Sequence, residues 1–214
     1  MTSGRFGDEW AEATRRVYER VAAGWDRGRD RSLFEKAWLD RLLAATPPGA
    51  PILDLGCGGG EPVAAYLVAA GRPVVGVDFA RPMLALARRR FPAAAWVEAD
   101  MRDLDLGRRF GGVVSWGGFL HLRGDEQRAT LPRIAAHIDE GGALLLTVGP
   151  GEGETEGRVE GEPVPHASLA PDEYAAILDA AGMAVEAFVA NDPDCRGHSL
   201  LLAVRPPATM KETP

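Results

Sequence analysis

Hydrophobic positions recur along the chain with two periods. Over residues 8–23, Trp10, Ala13, Val17 and Val21 fall three and four residues apart, one stripe of an amphipathic helix. Residues 24–30 are polar apart from Trp25 and read as a hinge. Ser32 with Glu35 three positions on is a capping-box pattern; Phe34, Trp38 and Leu42 then repeat at four residues until Thr46-Pro47-Pro48-Gly49 ends the helix. From Pro51 the period shortens. Apolar runs at 52–55, 74–77, 96–98, 112–116 and 143–148 alternate with helical patterns at 61–70, 81–90 and 125–138, the last interrupted by Pro132. Right-handed crossovers between such strands build an open parallel sheet with helices on both faces. Residues 149–165, rich in Gly and Glu, read as a long loop, functional or disordered. A helix over 171–182 and two strands, 185–189 and 198–204, follow; the turn-forming Asn191-Asp192-Pro193-Asp194 joins the strands as an antiparallel hairpin.

At 214 residues the chain reads as one domain with additions: a helical cap at 1–46, the sheet domain at 47–206 and a disordered tail at 207–214. A net charge of −7, from 24 basic and 31 acidic side chains, argues against a protein that grips nucleic acid by its phosphates. The first ten residues hold Arg5, Asp8 and Glu9 with no long apolar run, so neither a secretion signal nor a membrane span is expected. Cys57 and Cys195 as the two cysteines fit a reducing compartment, so the expected location is cytoplasmic.

Residues 51–60 read Pro-Ile-Leu-Asp-Leu-Gly-Cys-Gly-Gly-Gly, a buried strand running into glycines that let a ligand reach bare backbone. In an open α/β sheet the ligand sits outside the carboxyl ends of the strands. The residues there are Asp54, Gly56 and Gly58 after the first strand, Asp78 after the second, Asp100 after the third and Trp116 after the fourth. Asp78 lies twenty-two residues beyond Gly56, about the separation at which a carboxylate meets ribose hydroxyls. Asp100 stands one strand further, where a carboxylate meets an exocyclic amine; taken singly, Asp78 also reads as a helix cap and Asp100 as a turn cap. Counted from Gly56, the third glycine of a dinucleotide fingerprint falls on Glu61, whose charge repels pyrophosphate. Asp54 ahead of the glycines suits instead a ligand with an ammonium or sulfonium and no phosphate.

Leu53-Asp54-Leu55-Gly56-Cys57-Gly58-Gly59-Gly60, then Val75-Gly76-Val77-Asp78-Phe79-Ala80-Arg81-Pro82-Met83-Leu84, then Ala99-Asp100-Met101, resemble the successive motifs of class I S-adenosylmethionine-dependent methyltransferases. The resemblance implies a Rossmann-like, mostly parallel seven-stranded sheet whose last strand is antiparallel. It implies S-adenosylmethionine as cofactor and S-adenosylhomocysteine as product. Asp54, Gly56, Cys57 and Gly58 would line the methionine part, Asp78 the ribose, Phe79 and Met83 the adenine, and Asp100 and Met101 the adenine amine and ring edge. The family more often has Thr or Ser where Gly59 stands, which predicts a looser turn here.

The acceptor is less legible. His121, five residues after Trp116, is the best-placed general base on the rim; a histidine hydrogen-bonded to loop backbone is the alternative. His166 and His198 are expected in the substrate pocket, with no metal implied, and Tyr18 and Trp25 as a lid whose rings flank the sulfonium. Without a basic patch or an appended recognition domain, the expected acceptor is a small molecule methylated on O or N by a monomer or homodimer, with neither nucleic acid nor membrane as partner. Two rivals stand: an NAD(P)-dependent oxidoreductase, and an accessory protein that binds the cofactor without methylating.

Overall fold

The computed structural model describes residues 9–207. Residues 1–8 and 208–214, with the expectations about a leader and all but the first residue of the tail, lie outside the described residues. The sheet domain is built from β1 (Ile52–Leu55), β2 (Val74–Asp78), β3 (Ala95–Glu98), β4 (Phe110–Ser115), β5 (Ile138–Val148), β8 (Ala184–Asp192) and β9 (His198–Val204), in the order β3-β2-β1-β4-β5-β9-β8. Strands β1 to β5 pair in parallel; β9 runs antiparallel to both β5 and β8. This is the expected Rossmann-like sheet with an antiparallel last strand. Strand order reverses between β1 and β4, which opens a crevice at their carboxyl ends.

Both faces of the sheet are covered, so its strands read as continuous apolar runs. Leu53, Val113 and Leu144 point one way, towards Leu131 and Ile134 of α5 (Gly124–Ala136) and Leu178 of α6 (Pro171–Ala180). Ile52, Val114 and Leu145 point the other, towards Trp38 and Leu42 of α2 (Lys36–Ala44), Leu67 of α3 (Val63–Ala69) and Leu84 of α4 (Arg81–Arg90). Helix α5 runs through Pro132 without interruption, and Pro132 lies on its exposed face.

Three local expectations are overturned. Residues 24–28 are not a hinge: α1 (Trp10–Gly28) is helical to its end. Gly24 lies under the Glu160 carboxylate, whose Oε2 would be 2.8 Å from a Cβ there. The capping box at Ser32 is absent. Glu35 is fully buried and takes the Arg29 guanidinium at 2.5 Å instead. Residues 149–165 are largely a β-hairpin, β6 (Gly153–Val159) with β7 (Glu162–Ser168), turned by Glu160 and Gly161 at φ 50° and 81°. Two central residues with positive φ make the tight turn whose twist matches paired strands. The hairpin stays apart from the main sheet and folds over α1 through Val159, Val164 and Val17.

Candidate functional site

The crevice at the β1 and β4 ends opens into a cavity of about 410 Å³. Its floor is the glycine turn. Gly56, Gly58 and Gly60 have φ of 72°, 52° and 82°, a region open to glycine at no steric cost. A Cβ on Gly58 would meet only Met83 Sδ at 4.0 Å, and one on Gly117 nothing within 4 Å, so both present bare backbone to the cavity. Asp78 closes the turn onto β2: its Oδ2 accepts from the Gly58 amide at 2.9 Å and its Oδ1 from the Ala80 amide at 2.8 Å. Burial raises its pKa to about 6 against those two bonds.

Asp54, 2% exposed, is pushed up to about 7, first by burial and then by the charge of Asp78. Its Oδ2 has no hydrogen-bond partner, and neither does the buried Nε1 of Trp116. Both residues line the cavity. An orphaned acceptor and an orphaned donor in one wall suit a ligand carrying an ammonium and a carboxylate, so the residues present fit the amino-acid end of S-adenosylmethionine. Phe34, Trp116 and His198 cluster there, with ring centroids 5.4–6.2 Å apart. Cys57, buried, completes this wall, its thiol pKa raised by burial.

The roof is α1 and the hairpin. Tyr18 packs edge-on to Trp25, Phe79 and His121 at 6.0, 6.4 and 5.4 Å. His121 Nδ1 lies 3.0 Å from the Pro165 carbonyl, which can only accept, so this nitrogen carries the proton. Burial lowers the His121 pKa to about 3, leaving a neutral ring whose Nε2 accepts from the Tyr18 hydroxyl at 3.0 Å. The His166 ring stands 4.8 Å from that of His121.

Tyr18, Trp25, Asp54, Gly56, Cys57, Gly58, Asp78, Phe79, Met83, Met101, Trp116, His121, His166 and His198 thus share one cavity. Asp100 does not. It lines an adjoining pocket of about 50 Å³ with Phe79, Met101 and His121, and its carboxylate is held by Arg102 at 2.6 Å.

Asp26, in the same cavity wall, escaped the sequence reading. It pairs with both Arg90 nitrogens at 2.6 and 2.5 Å, and Arg90 Nη1 also donates to the Gly59 carbonyl at 2.9 Å. The guanidinium holds the Asp26 carboxyl below its usual range. A Cβ on Gly59 would lie 2.5 Å from Asp26 Oδ1 and 2.6 Å from Arg90 Nη1. The turn is therefore pinned rather than loose, and glycine stands there because the ion pair occupies that space. The signal was present: Trp10, Thr14, Tyr18, Ala22 and Asp26 form one four-residue stripe, with a carboxylate on an otherwise largely buried face.

Strand order, glycine turn and crevice define a Rossmann-like α/β protein with a site for an adenosyl-type ligand. Residues 52–142 match the family model described as the methyltransferase domain. Over 132 residues, 61% of this chain and 51% of the relative, the sequence is 36% identical to the dTDP-3-amino-3,6-dideoxy-alpha-D-glucopyranose N,N-dimethyltransferase of Streptomyces fradiae. It is 32% identical over 133 residues to the dTDP-3-amino-3,4,6-trideoxy-alpha-D-glucopyranose N,N-dimethyltransferase of Streptomyces venezuelae, covering 61% and 54% of the two chains. The chain spans about half the length of these curated relatives. Among solved structures, an amino pentose methyltransferase of Micromonospora echinaspora with S-adenosylmethionine bound superposes with a TM-score of 0.68 at 27% identity, over 88% of this chain and 96% of that one. Residues 52–142 thus resemble a methyltransferase domain, and the chain shares the Rossmann-like fold of class I S-adenosylmethionine-dependent methyltransferases.

Proposed function

We propose that the protein transfers a methyl group from S-adenosylmethionine to a neutral nitrogen or oxygen of a small molecule, with an amino sugar as the acceptor class that the relatives favour. The observation that carries the reading is the pair of unpartnered polar atoms, Asp54 Oδ2 and Trp116 Nε1, beside bare glycine backbone in the crevice. S-adenosylmethionine, when bound, supplies an electrophilic methyl group. Asp54 and Trp116 would hold the amino-acid end, Asp78 the ribose, Phe79, Met83 and Met101 the adenine, with Asp100 at its rim in the adjoining pocket. Tyr18 and Trp25, overhanging on α1, would flank the positive centre and exclude water. His121, His166 and His198 would face the acceptor. Because in-line methyl displacement asks mainly for alignment, a roof of α1 and hairpin over a rigid floor suits it. Glu61, ion-paired to Arg31 and Arg90 where a dinucleotide site needs glycine, speaks against a nicotinamide cofactor. We place this activity in the cytoplasm, a reading supported by the two unpaired thiols.

Calorimetry tests the site. S-adenosylhomocysteine is expected to bind the wild type, and Asp78→Ala and Gly58→Val to weaken it by about tenfold or more, since one removes a charged acceptor and the other fills the cradle. Thermal protection by NADH with none by S-adenosylhomocysteine would reverse the assignment.

A further inference from the structure

Of the two imidazoles side by side in the roof, His121 has both nitrogens engaged, one donating to Pro165 and one accepting from Tyr18. Neither ring nitrogen of His166 has a hydrogen-bond partner among the described residues. His198, the third cavity histidine, belongs to a separate ring cluster with Phe34 and Trp116 and has Nδ1 tied to the Cys195 carbonyl at 2.9 Å. Gly157 adds an independent sign that the His166 position is built. It sits inside β6 without a positive φ, where a glycine weakens the strand. A Cβ there would lie 2.3, 2.8 and 2.9 Å from three atoms of the His166 ring. The His166 imidazole takes the space that a side chain at position 157 would need.

We propose that His166, seated on Gly157 and braced by the His121 ring, takes the proton released by the acceptor during methyl transfer. The inference rests on the methyltransferase reading above. The acceptor's lone pair forms the new bond to the methyl carbon while the carbon–sulfur bond breaks and sulfur keeps its electrons. The acceptor's proton passes to a free nitrogen of His166, which then loses it to water. Partial burial lowers the His166 pKa, so at neutral pH the ring is the unprotonated form a base requires. His121, fixed between Pro165 and Tyr18, is a positioning residue: it holds the neighbouring ring without giving up its own proton.

The test uses the full-length protein and two readouts. With dTDP-3-amino-3,6-dideoxy-α-D-glucopyranose as acceptor, His166→Ala is expected to lower kcat by about 100-fold or more while S-adenosylhomocysteine affinity stays within threefold, and added imidazole to restore part of the rate. A kcat within threefold of wild type, or a loss that imidazole does not mend, overturns the proposal. The second readout needs no acceptor: diethyl pyrocarbonate should carbethoxylate His166 first, mapped by peptide mass, with His121 protected. Faster labelling of His121 or His198 than of His166 overturns it equally. Failure of the wild type to bind S-adenosylhomocysteine would instead remove the methyltransferase reading itself, a result distinct from either of these.

Discussion

Asp54 is the residue at which ligand binding and pH are expected to couple. Its folded pKa of about 7 stands above the usual 3.8 of an exposed carboxyl, so between these values the folded chain holds the proton more tightly than the unfolded one. Stability from this group is therefore fully present at acid pH and falls as pH rises towards and past 7. Asparagine keeps the shape and removes the charge. Asp54→Asn is expected to raise the Tm of the ligand-free protein at pH 8 by at least about 3 °C, a gain that shrinks towards pH 4, measured by calorimetric scans across that range. The same substitution should weaken S-adenosylhomocysteine binding and flatten its pH dependence, because in the wild type an incoming ammonium pulls the carboxyl to its ionised form and releases a proton. Wild-type affinity should thus climb from pH 5.5 to 8 and the variant's should not. An identical climb in both would assign the proton to another group, with Asp78 at about 6 next in line.

At the scale of elements, α1 reaches the glycine turn through charge rather than through apolar packing alone. Asp26, Arg90, Glu61 and Arg31 link α1, the turn, the entry to α3 and the end of α4, with Asp26 almost wholly buried and Arg90 and Glu61 only part-exposed. Removing one partner leaves the other charge half-buried, whereas removing both is milder. Asp26→Ala and Arg90→Ala are each expected to weaken S-adenosylhomocysteine binding by about tenfold, and the double variant by less than the product of the two. A double-mutant cycle from calorimetric Kd values reads the coupling, expected at about 1 kcal/mol or more. Additive effects would mean that the pair does not act as a unit. The hairpin belongs to the same argument: its contact with α1 runs through three valines, Val17, Val159 and Val164, with Glu160 against Gly24.

For the molecule as a whole, a continuous two-faced core carries a rigid floor, and a thinner layer of helix and hairpin forms the roof. Elements with few buried apolar contacts open locally at lower free energy than the core. Ligand binding should therefore be felt unevenly. Hydrogen exchange with and without S-adenosylhomocysteine is expected to show added protection in residues 10–28 and 153–168, and little change in β1, β4 and β5, already slow through burial. Equal protection everywhere would indicate global stabilisation by mass action instead of a closing roof.

The sheet and its floor were readable from the residues alone, because a doubly buried parallel strand must be apolar throughout and a turn that meets a ligand with bare backbone must be glycine. The strand at Ile52 to Leu55, Asp78 at the end of the second strand and the parallel run of the sheet follow from the residues, as does the antiparallel return of the last strand through Asn191-Asp192-Pro193-Asp194. What tertiary structure decided lies where the local pattern is neutral. The hairpin of β6 and β7 is hidden in Gly- and Glu-rich text because its outward positions face water and its buried apolar positions are few, Val159, Val164, Pro165 and Ala167. Gly24, Gly59 and Gly157 look like flexibility in the sequence, yet each is the space taken by a side chain from elsewhere: Glu160, the Asp26–Arg90 pair and His166. The free or engaged state of a histidine nitrogen is likewise a fact about distant partners, Pro165 and Tyr18 for His121, which no local spacing encodes. Periodicity records which face of an element is buried; it carries no record of what arrives from the other side of the chain to bury it.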